Sequence, residues 1–133
     1  MTFRYLFSLT LSKLEIPKTI LIIEDDQDIL DIMTYILVHE GHHIISATNG
    51  QMLKRLGKIQ PALILLDNRL SDGYGSDMCL SLKSDPKTAH FPVILFSANS
   101  GLAEMAGACK ADAYLAKPFD LNELTELVKR FVN

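Results

Sequence analysis

The chain has 133 residues, 48% of them hydrophobic and 22% charged, which suits one compact domain that buries about two thirds of its unfolded surface. With 13 basic and 16 acidic residues the formal charge is -3, so no broad field favours nucleic acid or an anionic membrane surface. No run is long and apolar enough to span a bilayer, and Cys79 and Cys109 lie among apolar neighbours with no close-spaced partner. A disulfide framework is thereby excluded, and small core residues of a soluble, cytoplasmic protein are expected.

Residues 1–18, MTFRYLFSLTLSKLEIPK, read as an N-terminal extension. Phe3, Tyr5, Phe7, Leu9 and Leu11 alternate with Arg4, Ser8, Thr10 and Ser12, broken only by Leu6. That is the period of a short strand, and a disordered arm fits the same residues. The unbroken apolar core and small-residue cleavage site of a secretory signal are missing.

From residue 19 to 133 short apolar runs alternate with segments of helical spacing, the rhythm of βαβ units around a parallel sheet. The runs are TILII (19–23), HIISA (43–47), ALILL (62–66), VILF (93–96) and AYLA (113–116). Their unbroken apolar character predicts strands covered on both faces. Between them, Ile29, Ile32, Met33, Ile36 and Leu37 make one helical stripe, Met52, Leu53 and Leu56 a second, and Met78, Cys79 and Leu82 a third. Asp120 and Glu123 are spaced as a capping box for a last helix whose buried face is Leu121, Leu124, Val128 and Phe131. Gly41, Gly57 and Asp85-Pro86 end the earlier helices, and Gly101 and Gly107 reduce the helix after the fourth run to a turn or two.

Chemistry-bearing residues follow four of the five runs: Glu24, Asp25 and Asp26 after the first, Asp67 after the third, Ser97 after the fourth and Lys117 after the fifth. Strands of a parallel sheet point one way, so these groups gather at one carboxyl edge, where open α/β sheets bind ligands. Adjacent carboxylates repel and resist ionising unless a cation joins them. Several carboxylates, a hydroxyl and an ammonium suit a hard divalent cation and a phosphoryl group. Taken singly, Asp67 before Asn68 reads as a loop start, Lys117 as a solvated surface charge, Tyr114 as strand core and Ser97 as the cap of the following helix. Asp26 reads as a bystander.

The segment HEGHH (39–43) matches the H-E-x-x-H pattern of zinc hydrolases, with His39 and His43 as ligands and Glu40 as base. The pattern needs an unbroken helix. Gly41 falls inside it and the strand-like Ile44 and Ile45 follow at once, so a zinc site is the remote alternative.

Four ordered blocks, ILIIEDDQDIL, LILLDNRLSDGYG, VILFSAN and DAYLAKPFD, resemble a response-regulator receiver domain of two-component and phosphorelay signalling. The resemblance implies a flavodoxin-like (CheY-like) three-layer α/β sandwich, with a five-stranded parallel sheet of order 2-1-3-4-5 and helices on both faces. It implies that Asp67 accepts a phosphoryl group from a sensor histidine kinase or histidine phosphotransfer protein. Mg2+ is then the cofactor, held by Glu24, Asp25, Asp67 and the backbone carbonyl of Arg69. Lys117 pairs with a phosphoryl oxygen, Ser97 and Tyr114 form the switch, and the Lys117-Pro118 bond is cis. Such a protein is a phosphoacceptor switch rather than an enzyme, with at most self-phosphorylation and slow self-dephosphorylation. It acts on a downstream protein, with no direct nucleic-acid or membrane partner. Departures from the pattern are Asn68 where an apolar residue is common, Arg69 at the variable position two after the aspartate, and Ser71 in place of a frequent proline. A pseudo-receiver, an interaction module that is never phosphorylated, is the alternative, and the intact set of five residues argues against it.

Overall fold

The computed structural model describes residues 16–132. In chain order the elements are β1 (Thr19–Ile23), α1 (Gln27–His39), β2 (His43–Ala47), a 3-10 helix (Gly50–Arg55) running into the single turn α2 (Leu56–Ile59), and β3 (Leu63–Asp67). There follow the two-residue strands β4 (Arg69–Leu70) and β5 (Gly73–Tyr74), α3 (Gly75–Ser84), β6 (Val93–Ser97), α4 (Leu102–Ala108), β7 (Ala113–Ala116) and α5 (Leu121–Val132). The strand or arm expected at 1–18 lies, except for residues 16–18, outside the described residues.

The main sheet has the order β2-β1-β3-β6-β7, every pairing parallel. This is the expected 2-1-3-4-5 arrangement, with the small antiparallel hairpin β4–β5 standing apart from it. The two faces of the central strands feed two separate cores. Ile20 and Ile22 of β1, Leu63 and Leu65 of β3 and Phe96 of β6 pack with Leu30, Met33 and Leu37 of α1 and Leu124, Val128 and Val132 of α5. Leu21, Ile23, Ile64, Leu66 and Leu95 pack on the opposite face with Cys79 and Leu82 of α3 and Leu102 and Ala106 of α4. Period-two alternation within an all-apolar run thus serves both layers. Each such side chain, once buried, contributes about 1.5–3 kcal/mol.

Coverage on both faces holds for β1, β3 and β6, whereas the edge strands β2 and β7 keep partly exposed positions, because a sheet edge has a neighbour on one side only. The third strand runs one residue later than the apolar run and takes in Asp67. On α1 the buried line is Leu30, Met33 and Leu37, while Ile32 is 57% exposed; the helix is rotated from the expected stripe. Leu121, expected inside, is 55% exposed, and Val132 takes its share of the α5 contact. The second helix is mostly 3-10, and Gly57 lies within its last turn, which ends instead at the left-handed Gln60 (φ 48°). α4 has seven residues, as short as its glycines predict.

Asp120 accepts the Glu123 N–H at 2.7 Å, satisfying one of the donors that every helix start leaves open. At the amino edge of the sheet, Lys83 at the end of α3 donates to the carbonyls of Ala89 and Phe91 and pairs with Asp112 at 2.7 Å. Its charge is thereby compensated where it is largely buried. Both cysteines are free and buried, and burial pushes the Cys79 thiol up to about 12, in keeping with inert core positions. Among the described residues no helix is long and apolar enough to cross a membrane.

Candidate functional site

The carboxyl rim of the sheet carries a cleft of about 440 Å³, lined by Glu24, Asp25 and Asp26 after β1, Asp67, Asn68 and Arg69 after β3, Ser97, Ala98 and Asn99 after β6, and Lys117 after β7, with Ile29 of α1. Residues from four strand ends meet there because each β-strand of the parallel ladder terminates at the same edge.

Glu24 and Asp25 are adjacent carboxylates with opposite environments. Glu24 is 1% exposed; its backbone N–H donates to the Ala47 carbonyl, its Oε1 accepts the Asp26 N–H at 3.1 Å and its Oε2 lies 3.0 Å from Lys117 Nζ. Asp25 is open to solvent. Asp67, also buried, has Oδ1 3.2 Å from the same ammonium, so Lys117 stands between two buried carboxylates. Lys117 Nζ further sits 5.1 Å from the Phe96 ring centroid, a cation–π distance.

The electrostatics follow from burial. Desolvation pushes Glu24 up to about 7 against the opposing pull of Lys117, with the Asp67 charge adding to the rise. Desolvation likewise raises Asp67, opposed by Lys117. Desolvation alone would lower Lys117, but the hydrogen bond to Glu24 and the charge of Asp67 outweigh it and hold the ammonium above its usual value. One lysine is too little positive charge for this cluster, which is the condition under which a cation binds. Glu24, Asp25 and Asp67 each offer an oxygen, all within 4.8 Å of one another. That spacing and the all-oxygen donor set fit Mg2+, which takes oxygen ligands at about 2.1 Å and retains several waters.

Ser97 is nearly buried at the end of β6. Its carbonyl accepts the Lys117 N–H and its Oγ accepts the Asn99 N–H at 3.0 Å. The helix cap expected of Ser97 is therefore a turn one step earlier, since α4 begins only at Leu102. Tyr114 is 49% exposed on β7, in register with Leu95, and does not line the cleft. The Lys117-Pro118 bond is cis. Beside Lys117 an apolar groove of about 430 Å³ runs along Ile29, Ile32 and Met33 to Pro118, Phe119 and Leu121.

His39, Glu40 and His43 do not form a zinc site. α1 ends at His39, Gly41 takes φ +95° and His43 opens β2, so the two histidines do not share a helix face. Among the described residues the one group of three metal-binding side chains within ligating distance is the acidic cluster at the rim.

Two residues of the rim do more than the sequence suggested. Asp26 is the N-cap of α1, its Oδ1 accepting the N–H groups of Asp28 and Ile29 at 3.0 and 3.2 Å; an aspartate just before a helical stripe is the signal for that role. Asn68 pins the strand end that carries Asp67. Its N–H donates to the Phe96 carbonyl, its carbonyl accepts the Gly75 N–H at 2.7 Å, and its Oδ1 accepts the Ser76 N–H at 2.9 Å. This caps α3, whose N-cap residue Tyr74 makes no side-chain cap of its own.

A doubly wound sheet with three carboxylates and a paired lysine on its carboxyl rim defines an α/β domain suited to a divalent cation and a phosphoryl group. The chain belongs to the response regulator receiver domain family, whose model matches residues 20–129. It is 32% identical to histidine kinase P4 of Formosa agariphila, over 86% of this chain and 8% of that protein. To the DNA-binding dual master transcriptional regulator RpaA of Synechocystis it is 34% identical, over 83% of this chain and 47% of that protein. A putative response regulator from Chloroflexus aurantiacus superposes with a TM-score of 0.81 at 27% identity, covering 87% of this chain and 98% of the other. The chain spans about half the length, or less, of the first curated relatives it matches.

Proposed function

We propose that the chain is a phosphoacceptor switch in which Asp67 takes a phosphoryl group from a phosphohistidine donor, a sensor histidine kinase or a histidine phosphotransfer protein, in the cytoplasm. An Asp67 carboxylate oxygen forms the new bond to phosphorus as the phosphorus–nitrogen bond to the donor imidazole breaks, leaving an acyl phosphate. Glu24, Asp25, Asp67 and the Arg69 backbone carbonyl hold Mg2+, which when bound supplies charge compensation for the transferring group. Lys117 is already 3.2 Å from Asp67 Oδ1 and pairs with a phosphoryl oxygen after transfer; Ser97 donates to another.

The observation that carries this reading is the single ammonium shared at 3.0 and 3.2 Å between Glu24 and Asp67, in a cleft with a third carboxylate within ligating distance. Such a site holds the nucleophile, its cation and its anion partner at one point. The apolar groove lined by Ile32, Phe119 and Leu121 supports a donor that lays a nonpolar surface beside the cleft while presenting its histidine to Asp67. Output follows when phosphate draws Ser97 inward and Tyr114, now half exposed, turns from solvent, changing the β7 surface offered to a downstream protein.

Incubation with Mg2+ and acetyl phosphate tests the reading. One phosphate per chain, labile to base and to hydroxylamine as an acyl phosphate is, and absent in Asp67→Asn, is expected. Mg2+ binding without phosphate uptake makes the chain a non-phosphorylated pseudo-receiver.

A further inference from the structure

The Arg69 carbonyl is the one proposed Mg2+ ligand that belongs to the β4–β5 hairpin rather than to the rim of the main sheet, and what holds that hairpin is visible at both of its ends. At the base, Asn68 makes the three hydrogen bonds described above. The tip is held by Asp72. Both of its carboxylate oxygens accept the Gly50 N–H, Oδ1 at 3.1 and Oδ2 at 3.0 Å, and Oδ2 also accepts from Gln51 Nε2 at 3.3 Å.

Gly50 opens the 3-10 helix, where N–H groups have no partner within the helix. Asn49 takes the Gln51 N–H at 2.9 Å, which leaves the Gly50 N–H for a residue from elsewhere in the chain. A Cβ on Gly50 would meet the flexible end of Met78, 2.6 Å from Sδ, and would leave Asp72 Oδ2 at an ordinary 3.4 Å. The hairpin pairs Arg69 with Tyr74 and Leu70 with Gly73 on either side of the turn that holds Asp72, and Arg69 lines the acidic cleft. A two-residue ladder is too short to hold its own shape in water.

We propose that Asp72 is a positioning residue for the cation site, latching the hairpin to the helix after β2 so that the Arg69 carbonyl is held at the cleft. The proposal rests on the Mg2+ reading given above. Glu24 and Asp67 are fixed by their own burial; the carbonyl depends on the hairpin, which Asn68 holds at its base and Asp72 at its tip. Losing a partner that orients a ligand weakens metal binding without removing the site.

The test is Mg2+ titration by calorimetry of the full chain and its Asp72→Ala, Asp72→Asn and Gly50→Ala variants, with thermal melting of each in the absence of metal. Asp72→Ala is expected to weaken Mg2+ binding about fivefold, the effect of losing a hydrogen bond of ordinary strength, with acetyl phosphate labelling restored at saturating Mg2+. Asp72→Asn keeps an acceptor for the Gly50 N–H while losing the charge, and is expected to bind Mg2+ nearly as the parent does. Gly50→Ala keeps both the N–H and the carboxylate, its Cβ being met by the flexible end of Met78, and is the control expected to bind Mg2+ as the parent does. Equal Mg2+ affinity in Asp72→Ala and the parent, even with a lowered melting temperature, overturns the positioning role. Loss of affinity in Asp72→Asn as large as in Asp72→Ala also overturns it, since charge alone then accounts for the effect. If the parent chain itself binds no Mg2+, the cation reading and the latch fall together.

Discussion

Gly75→Ala probes the claim that backbone packing, rather than the side chains alone, sets the position of Asp67. A Cβ built on Gly75 overlaps the Asp67 carbonyl oxygen and lies 2.9 Å from its carbonyl carbon and 3.1 Å from Asn68 Cα. The first of these is more than about 1 Å inside the separation at which nonbonded heavy atoms attract, roughly 3.5 Å. All three neighbours are backbone, so no rotamer change relieves the overlap. The start of α3 must move away from β3, stretching the Gly75 N–H to Asn68 carbonyl bond of 2.7 Å and the Ser76 N–H to Asn68 Oδ1 bond of 2.9 Å. Overpacking costs about 1–3 kcal/mol and one weakened hydrogen bond about 1 kcal/mol. The expected loss is therefore about 3 kcal/mol, a large part of the roughly 5–15 kcal/mol that stabilises a domain. Urea unfolding measures it. In the folded fraction, acetyl phosphate labelling of Asp67 is expected to slow by up to about 100-fold, the effect of a displacement near 1 Å at a reacting centre. Gly57→Ala is the matched control: nothing lies within 4 Å of its Cβ, and it is expected to be neutral or to stabilise by up to about 1 kcal/mol. Gly75→Ala unfolding within about 0.5 kcal/mol of the parent, at the precision set by surface substitutions, and labelling at the parental rate, would refute the reasoning.

Without metal, Glu24 keeps in the folded state a proton that the unfolded chain releases near 4.5. Stability therefore falls as pH rises from about 4.5 to about 7, by about 3 kcal/mol for the full shift. Asp67, also raised, acts in the same sense, while Lys117, held above 10.5, loses its contribution only at higher pH. Urea unfolding between pH 5 and 8 should show that decline and its reversal by saturating Mg2+; a stability that climbs over this window without metal contradicts the assignment. Asp26→Ala should cost about 1 kcal/mol through loss of the α1 cap while leaving Mg2+ affinity within about twofold, the sign of a capping group and not a ligand; calorimetry and urea unfolding of the same sample separate the two. Ile32→Lys, in the lining of the apolar groove, should slow transfer from a phosphohistidine protein about tenfold or more, as placing a charge in an apolar contact does, and leave acetyl phosphate labelling unchanged; equal slowing with both donors would place the defect in the cleft instead.

Much of this protein is determined one residue after another along the chain. Apolar runs of strand length separated by helical stripes commit it to a parallel sheet, and a parallel sheet sends Glu24, Asp25, Asp67, Ser97 and Lys117 to one rim whatever their distance in sequence. Local capping is equally legible, as Asp120 and Glu123 demonstrate, because its partners lie within one turn. What only the tertiary structure decides is environment and long-range pairing. Glu24 and Asp25 are neighbours of the same charge, yet one is sealed against Lys117 and the other faces water, since successive residues leaving a strand point to opposite sides. The rotation of α1, which buries Leu30 and leaves Ile32 out, is set by what it packs on, the β1 and β3 side chains of the sheet with α5 beside them. Asn68 reaches the start of α3 and Asp72 the helix after β2, and hydrogen bonds between residues 8 and 22 positions apart follow no period that a sequence displays.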